Sequence, residues 1–278
     1  MKNAIIIFTK VPKVGENKTR LTTERGGIFT VEEAAQFYEA SLLDVIESCI
    51  AANCCDVYIC INRNGNKDYF NKRIEAEFGK NTVKEIFADK GQSFDQGMQY
   101  AIDYIFKDRA DQRLADSAFI VGGDTPALQP STIRKAVKTL ELIATSDEAF
   151  QCAKQTKIVN PTIGAGIIES VDQEGGFNLI GYTYSTPFSF NGVFYNLDGV
   201  TALDMIARKA VERDIPMNLV EMIPDIDLPV DLASLLPVLS TLQVVGKYDS
   251  DVKLPTRTIE FLEEMGLQTS APVTAIID

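Results

Sequence analysis

Four short segments carry residue types and spacings able to do chemistry. The first, KVPKVGENKTRL (residues 10 to 21), brings Lys13, Gly15, Lys18 and Arg20 directly after a short apolar run. A buried strand emptying into such a loop presents backbone N–H groups and cations at the carboxyl edge of a sheet, where open α/β folds bind ligands. Phosphates suit it, although neither the Walker A nor the dinucleotide glycine spacing is present. A solvated surface loop would carry the same charges. In the second segment, IVGGDTPAL (120 to 128), an apolar strand ends in Gly122, Gly123 and Asp124. The two glycines allow close approach of a ligand or of backbone, and Asp124 stands where a carboxylate reaches a metal held against phosphates. A helix or turn cap would use the same aspartate.

The third segment, PDIDLPVDL (224 to 232), alternates Asp225, Asp227 and Asp231 with apolar residues and contains no base. Asp231 is placed at the start of a following helix, and a carboxylate from here plus Asp124 would suffice for a Mg²⁺ ion that takes its other ligands from phosphates and water. Capping by all three aspartates explains the segment equally well. The fourth, DQEGGFNLIGY (172 to 182), puts Glu174 before two glycines and Phe177, a carboxylate close to a ring able to stack on a ligand. A plain hairpin turn has the same glycines.

Composition narrows these readings. There are 27 Lys and Arg against 39 Asp and Glu, a net charge of −12, which disfavours a nucleic-acid partner. Residues 1–25 run the other way, with six bases against Glu16 and Glu24, which fits a small anionic ligand near the N-terminus. Histidine is absent, so acid, base and metal work falls to Asp, Glu, Lys and Cys, and any metal site prefers hard Mg²⁺ or Mn²⁺ on oxygen ligands. The five cysteines include no C-x-x-C pair and read as reduced packing residues. No membrane span or secretory signal is expected, and the location expected is cytoplasmic.

The elements that must position these segments alternate between strand and helix. NAIIIFT (3 to 9), CDVYICI (55 to 61), VKEIFA (83 to 88) and SAFIVG (117 to 122) read as buried strands. Between them fall a helix capped by Thr30 and Glu33, a polar helix over 67 to 78, and a helix capped by Ser93 and Gln96 with Phe94 and Met98 inward. A further helix carries Ile133, Ala136 and Leu140. Four such units predict an α/β, three-layer, mostly parallel doubly wound sheet. From residue 149 the pattern shifts to short strands FQCAK, AGIIES and FNLIGYT, a helix near 200 to 213 and a strand at 217 to 222, so mixed strands join the sheet in the C-terminal half. One domain over 1–245 is expected, with 246–278 an extension whose TRTIEFLEEMGL stretch docks as a helix.

Taken in order, VPKVGENKTRL, GGDTP, EGGFNLIG and DIDLPVDL resemble the rSAM/selenodomain-associated transferase 1 proteins, over about residues 3 to 240. That resemblance implies the nucleotide-diphospho-sugar transferase (glycosyltransferase-A, GT-A) fold, and the motifs are also similar to those of 2-phospholactate and molybdenum-cofactor guanylyltransferases and CMP-sugar synthetases. It further implies that Gly15, Lys18 and Arg20 line nucleotide phosphates and that Asp124 and Asp227 hold the metal. Where the family carries Asp-Gly-Gly-Tyr this chain has Glu174, Gly175, Gly176 and Phe177.

Three activities follow as alternatives: nucleotidyl transfer from an NTP to a small phosphorylated or hydroxylated acceptor, glycosyl transfer from a nucleotide sugar with Glu174 as base, and nucleotide binding without catalysis. The cationic loop suits a triphosphate, and GGDTP offers one aspartate where sugar transferases of this fold use a D-x-D pair. Both features lean toward nucleotidyl transfer, with Lys18 and Arg20 stabilising the leaving group.

Overall fold

The computed structural model describes residues 1–107 and 112–268. Seven strands form one sheet: β1 (Asn3–Thr9), β2 (Asp56–Ile61), β3 (Glu85–Ala88), β4 (Ser117–Gly122), β5 (Ile167–Val171), β6 (Phe177–Thr183) and β7 (Met217–Leu219). Their order is β3-β2-β1-β4-β6-β5-β7, parallel from β3 to β4, with β6 antiparallel to both β4 and β5 and β7 parallel to β5. The chain is thus α/β with a mostly parallel sheet and one reversed strand.

Helices cover both faces. On one lie α1 (Val31–Ala52), α2 (Lys67–Phe78) and α4 (Pro130–Ile143), whose Leu42, Ile46, Phe70, Ile133 and Leu140 share one buried cluster with Ile5 and Ile7 of β1. On the other lie α3 (Phe94–Phe106), α5 (Asp147–Ala153) and α6 (Ala202–Glu212), packed on Ala4 and Ile6. Successive β1 residues therefore serve opposite cores, the reason the strand reads as a continuous apolar run. Outside α1, α7 (Pro229–Val245) and α8 (Thr256–Glu264) enclose a third cluster with Leu21, Phe29 and Phe37. The expected C-terminal helix is α8.

Three expectations change. FQCAK belongs to helix α5: the Ser146 side chain accepts from Ala149 N, Asp147 and Glu148 occupy the first turn, and Ala149, Cys152 and Ala153 are buried at helical spacing. Phe94 does not point inward but is 45% exposed at the first turn of α3. Ser93 does cap that helix, but Gln96 Oε1 accepts from Gln92 N (2.9 Å), so the box with Ser93 is not closed. Among the described residues, no helix is long and apolar enough to cross a membrane.

Candidate functional site

The carboxyl ends of β1, β2, β3 and β4 open on one edge of the sheet, and the reversal of β6 brings the β5–β6 turn to that same edge. The loop after β1 is fastened there by Val11 N to Asn62 Oδ1 (2.8 Å) and internally by Lys13 N to Asn17 Oδ1 (2.6 Å). Tyr38 of α1 holds the start of the loop: its hydroxyl lies 2.6 Å from Thr9 Oγ1 and accepts from Lys10 N (3.1 Å). Burial first, and the charge of Asp124 second, push the Tyr38 phenol up to about 12, so it remains a neutral hydrogen-bonding post.

Lys18 adopts φ 45° and ψ 38°, a left-handed conformation uncommon for a residue with a side chain. Its side chain is 3% exposed, and Nζ lies 2.8 Å from Asp124 Oδ2 and 2.8 Å from Asp227 Oδ1. Burial opposes the ammonium, yet Asp124, Asp227 and Asp225 outweigh it and raise its affinity for the proton. Arg20, mostly exposed, donates from Nη1 to Asp227 Oδ2 (3.2 Å).

The aspartates arrive from two directions. Asp124 follows β4, and a side chain at Gly122 would come within 2.9 Å of its Oδ1. Asp225 and Asp227 follow β7, in a segment pinned by Gln173, whose side chain accepts from Asp225 N (3.0 Å) and donates to Asp225 O (2.9 Å). Asp231, in the first turn of α7, accepts from Asp227 N (2.9 Å) and Leu228 N (2.6 Å). Carboxylate oxygens of Asp124, Asp225 and Asp227 lie within 4.8 Å of one another. An all-oxygen set of this kind fits a hard divalent cation such as Mg²⁺ or Mn²⁺. Burial, and then Asp124, push Asp225 up to about 7, whereas Asp227, though burial works against it, is held low by Lys18 and Arg20.

Glu174 is exposed in the β5–β6 turn, where Asp172 Oδ1 accepts from Glu174 N (2.7 Å) and Gly176 N (2.8 Å). The glycines serve this turn: Gly175 has φ +83°, and a side chain at Gly176 would meet Asp172 Oδ2 at 2.5 Å. Burial, followed by Asp231 and Asp227, raises the Glu174 carboxyl.

Lys18, Arg20, Gly122, Asp124, Glu174 and Asp227 all line one cleft of about 940 Å³. Lys13, Gly15 and Gly123 do not. Lys13 pairs with Glu16 in solvent, Gly15 is exposed with φ +77°, and Gly123 packs so closely that a side chain would meet Thr9 Oγ1 at 2.6 Å. Sequence reasoning singled out neither Asn62 and Asp89 at the ends of β2 and β3 nor the cleft-lining aromatics Phe94, Phe194 and Tyr195. Tyr38 falls at helical spacing among the apolar residues of α1 and so reads as core. The i, i+2 spacing of Asp225 and Asp227 in an extended segment was the available signal for the third aspartate.

A model of the family described as "Uncharacterized protein conserved in bacteria (DUF2064)" matches residues 45–197. No curated protein sequence matches the chain. Among solved structures, a protein of Desulfovibrio desulfuricans G20 assigned by inference as a nucleotide-diphospho-sugar transferase superposes with a TM-score of 0.66 at 19% identity, over 95% of this chain and 98% of that one. A cytidylyltransferase from Leptospira borgpetersenii serovar Hardjo-bovis superposes with a TM-score of 0.51 at 13% identity, over 98% and 100%. At such identities the likeness is one of fold.

Proposed function

This chain belongs to the DUF2064 family, and we propose that it is a transferase acting on a nucleotide-activated donor, with nucleotidyl transfer from an NTP as the preferred reaction. The observation that carries the reading is the Lys18 ammonium held between Asp124 and Asp227 at the carboxyl edge of the sheet, with Arg20 beside it. The resemblance of the motifs to the rSAM/selenodomain-associated transferase 1 proteins supports the transferase class, and between the two reactions it leans toward sugar transfer.

In this scheme the donor phosphates enter beside the loop after β1. Lys18 and Arg20 turn toward them and stabilise charge that grows on the departing pyrophosphate, an interaction stronger in the transition state than in the ground state. Asp124, Asp225 and Asp227 would hold a divalent cation, which when bound supplies Lewis-acid stabilisation of phosphate charge. Tyr38 keeps the start of the loop in place.

Glycosyl transfer is the second reading, favoured by Glu174: its carboxyl lines the cleft, and its raised proton affinity makes it a better base than an ordinary glutamate.

Product analysis with purified protein, Mg²⁺ and a panel of NTPs and nucleotide sugars separates the two. Pyrophosphate release from an NTP supports the first reading, and nucleoside diphosphate release from a sugar nucleotide supports the second. For the first, Arg20→Ala is expected to lower kcat by roughly 10²- to 10³-fold; for the second, Glu174→Gln is the more damaging change. Donor binding without release of either product would leave a nucleotide-binding protein and refute both.

A further inference from the structure

The lining of the cleft is of two kinds, cationic and aromatic. Its cationic residues, among those described, are Lys10, Lys18 and Arg20, all from the end of β1 and the loop after it. The lining also holds Phe94, Phe177, Phe194 and Tyr195 and the carboxylates Asp172 and Glu174, and the cation whose charge reaches Glu174 is Arg20. The rings are connected: Phe94 meets Phe194 edge-on at 4.6 Å, and Phe194 lies 5.6 Å from Phe177. Asp95 accepts from Gly192 N (2.8 Å) and Phe194 N (2.9 Å), fastening the loop that carries Phe194 and Tyr195 to the start of α3. Other nearby bases are directed elsewhere. Lys209 Nζ donates to Asn191 O (2.7 Å) and Arg208 faces Asp198 at 4.0 Å; neither lines the cleft.

A phosphorylated acceptor beside these rings would lose hydration, face two carboxylates and have to take Arg20 from Asp227 and from the donor phosphates. A ring with an uncharged polar group gains stacking and apolar contact instead. Asn62, Asp89 and Gln92, which follow β2 and β3 and also line the cleft, offer the polar groups that nucleobase edges need.

We propose that the aromatic lining is the acceptor subsite, and that the acceptor carries a flat or apolar ring face and a free hydroxyl but no phosphate. This rests on the transferase reading and removes the phosphorylated acceptors from it. In nucleotidyl transfer the acceptor oxygen bonds to the donor α-phosphorus and its proton passes to water. The bond to pyrophosphate breaks, with the electron pair leaving on pyrophosphate. In glycosyl transfer from a sugar nucleotide the same oxygen bonds to the anomeric carbon, Glu174 takes its proton and the nucleoside diphosphate leaves.

The test uses the full chain and two probes, 4-nitrophenyl glucoside and glucose 1-phosphate, each measured for binding by calorimetry and as an acceptor, with Mg²⁺ and NTP binding measured separately. The aryl glucoside is expected to bind at least about ten-fold more tightly than glucose 1-phosphate. Phe194→Ala and Phe194→Leu should weaken the aryl probe by about ten-fold and leave nucleotide affinity within about two-fold. Tyr195→Ala, at a side chain 94% exposed, provides a variant whose folding is not at stake. Equal or tighter binding of glucose 1-phosphate overturns the proposal, as does a large loss of nucleotide affinity in the Phe194 variants, which would seat the nucleobase on the rings. Aryl binding lost in these variants while no nucleotide binds at all would sustain the aromatic subsite and defeat the transferase reading alone.

Discussion

Glu169, in the middle of β5, is fully buried, and neither carboxylate oxygen has a hydrogen-bond partner. Burial pushes its carboxyl from 4.5 up to about 8, so the folded protein keeps it protonated at neutral pH. The folded state then binds one proton more than the unfolded chain, and stability falls as pH rises from about 4.5 toward about 8. The expected loss across that window is roughly 3–5 kcal/mol, read by urea unfolding at pH 5 and pH 8.5. Glu169→Leu should make the profile shallower, leaving the part that Asp225, pushed up to about 7, contributes, and stabilise the protein at the higher pH; an unchanged slope would show that Glu169 does not titrate there. Glu169 lies in AGIIES, which reads as an apolar strand, and alternation assigns its face without revealing that the polar group lacks a partner. The residues of the cleft divide in the same way. Lys18, Arg20 and Asp124 stand out in the sequence by type and by position after a strand, whereas Phe94 reads as core because solvent exposure is a property of packing.

The outer helix α8 docks on α1 through one charged residue. Arg257 donates to Asp44 (2.9 Å) and Glu47 (2.7 Å) of α1 and to Glu77 of α2 (2.6 Å), while Asp44 also accepts from Thr258 N (2.8 Å). Asp44 is 2% exposed, and burial raises its carboxyl although Thr258 and Arg257 counter it. Arg257→Ala strands that carboxylate and should cost about 2–4 kcal/mol in chemical unfolding, with Arg257→Lys recovering part of the loss. A loss below about 0.5 kcal/mol would mean that α8 is held by its apolar face alone. Elements of this kind were legible where pattern and punctuation agreed: β1, β4, β6 and α2 take the bounds their apolar runs and turns indicate. FQCAK reads as a strand because apolar and polar residues mixed over five positions are too few to show a period, and the helix cap at Ser146 lies before it. AGIIES starts late as a strand because the Ala165 amide bonds to Ala149 O and the Gly166 amide to Thr186 Oγ1.

At the scale of the molecule, the repeated strand-helix units make the parallel half of the sheet readable, while the insertion of β6 between β4 and β5 is not. That order is decided by contacts far apart in sequence, such as Phe119 packing where Gly181 leaves room, and no local propensity encodes them. The reversed strand is nonetheless what carries Glu174 and Phe177 to the edge where Lys18 and Asp124 lie. In a protein with a net charge of −12, an anionic donor approaches against the overall field and depends on the local cations of the first 25 residues. Lys18 is already spoken for by its own carboxylates. On the proposed reading, donor capture is an exchange of partners within the protein, in which one internal ion pair is traded for another, rather than a displacement of small ions from a bare cationic surface. A plot of log affinity against log salt concentration should accordingly be shallower than three cations at the cleft would give if all were free, and Lys18→Met should change its slope little while weakening the affinity itself.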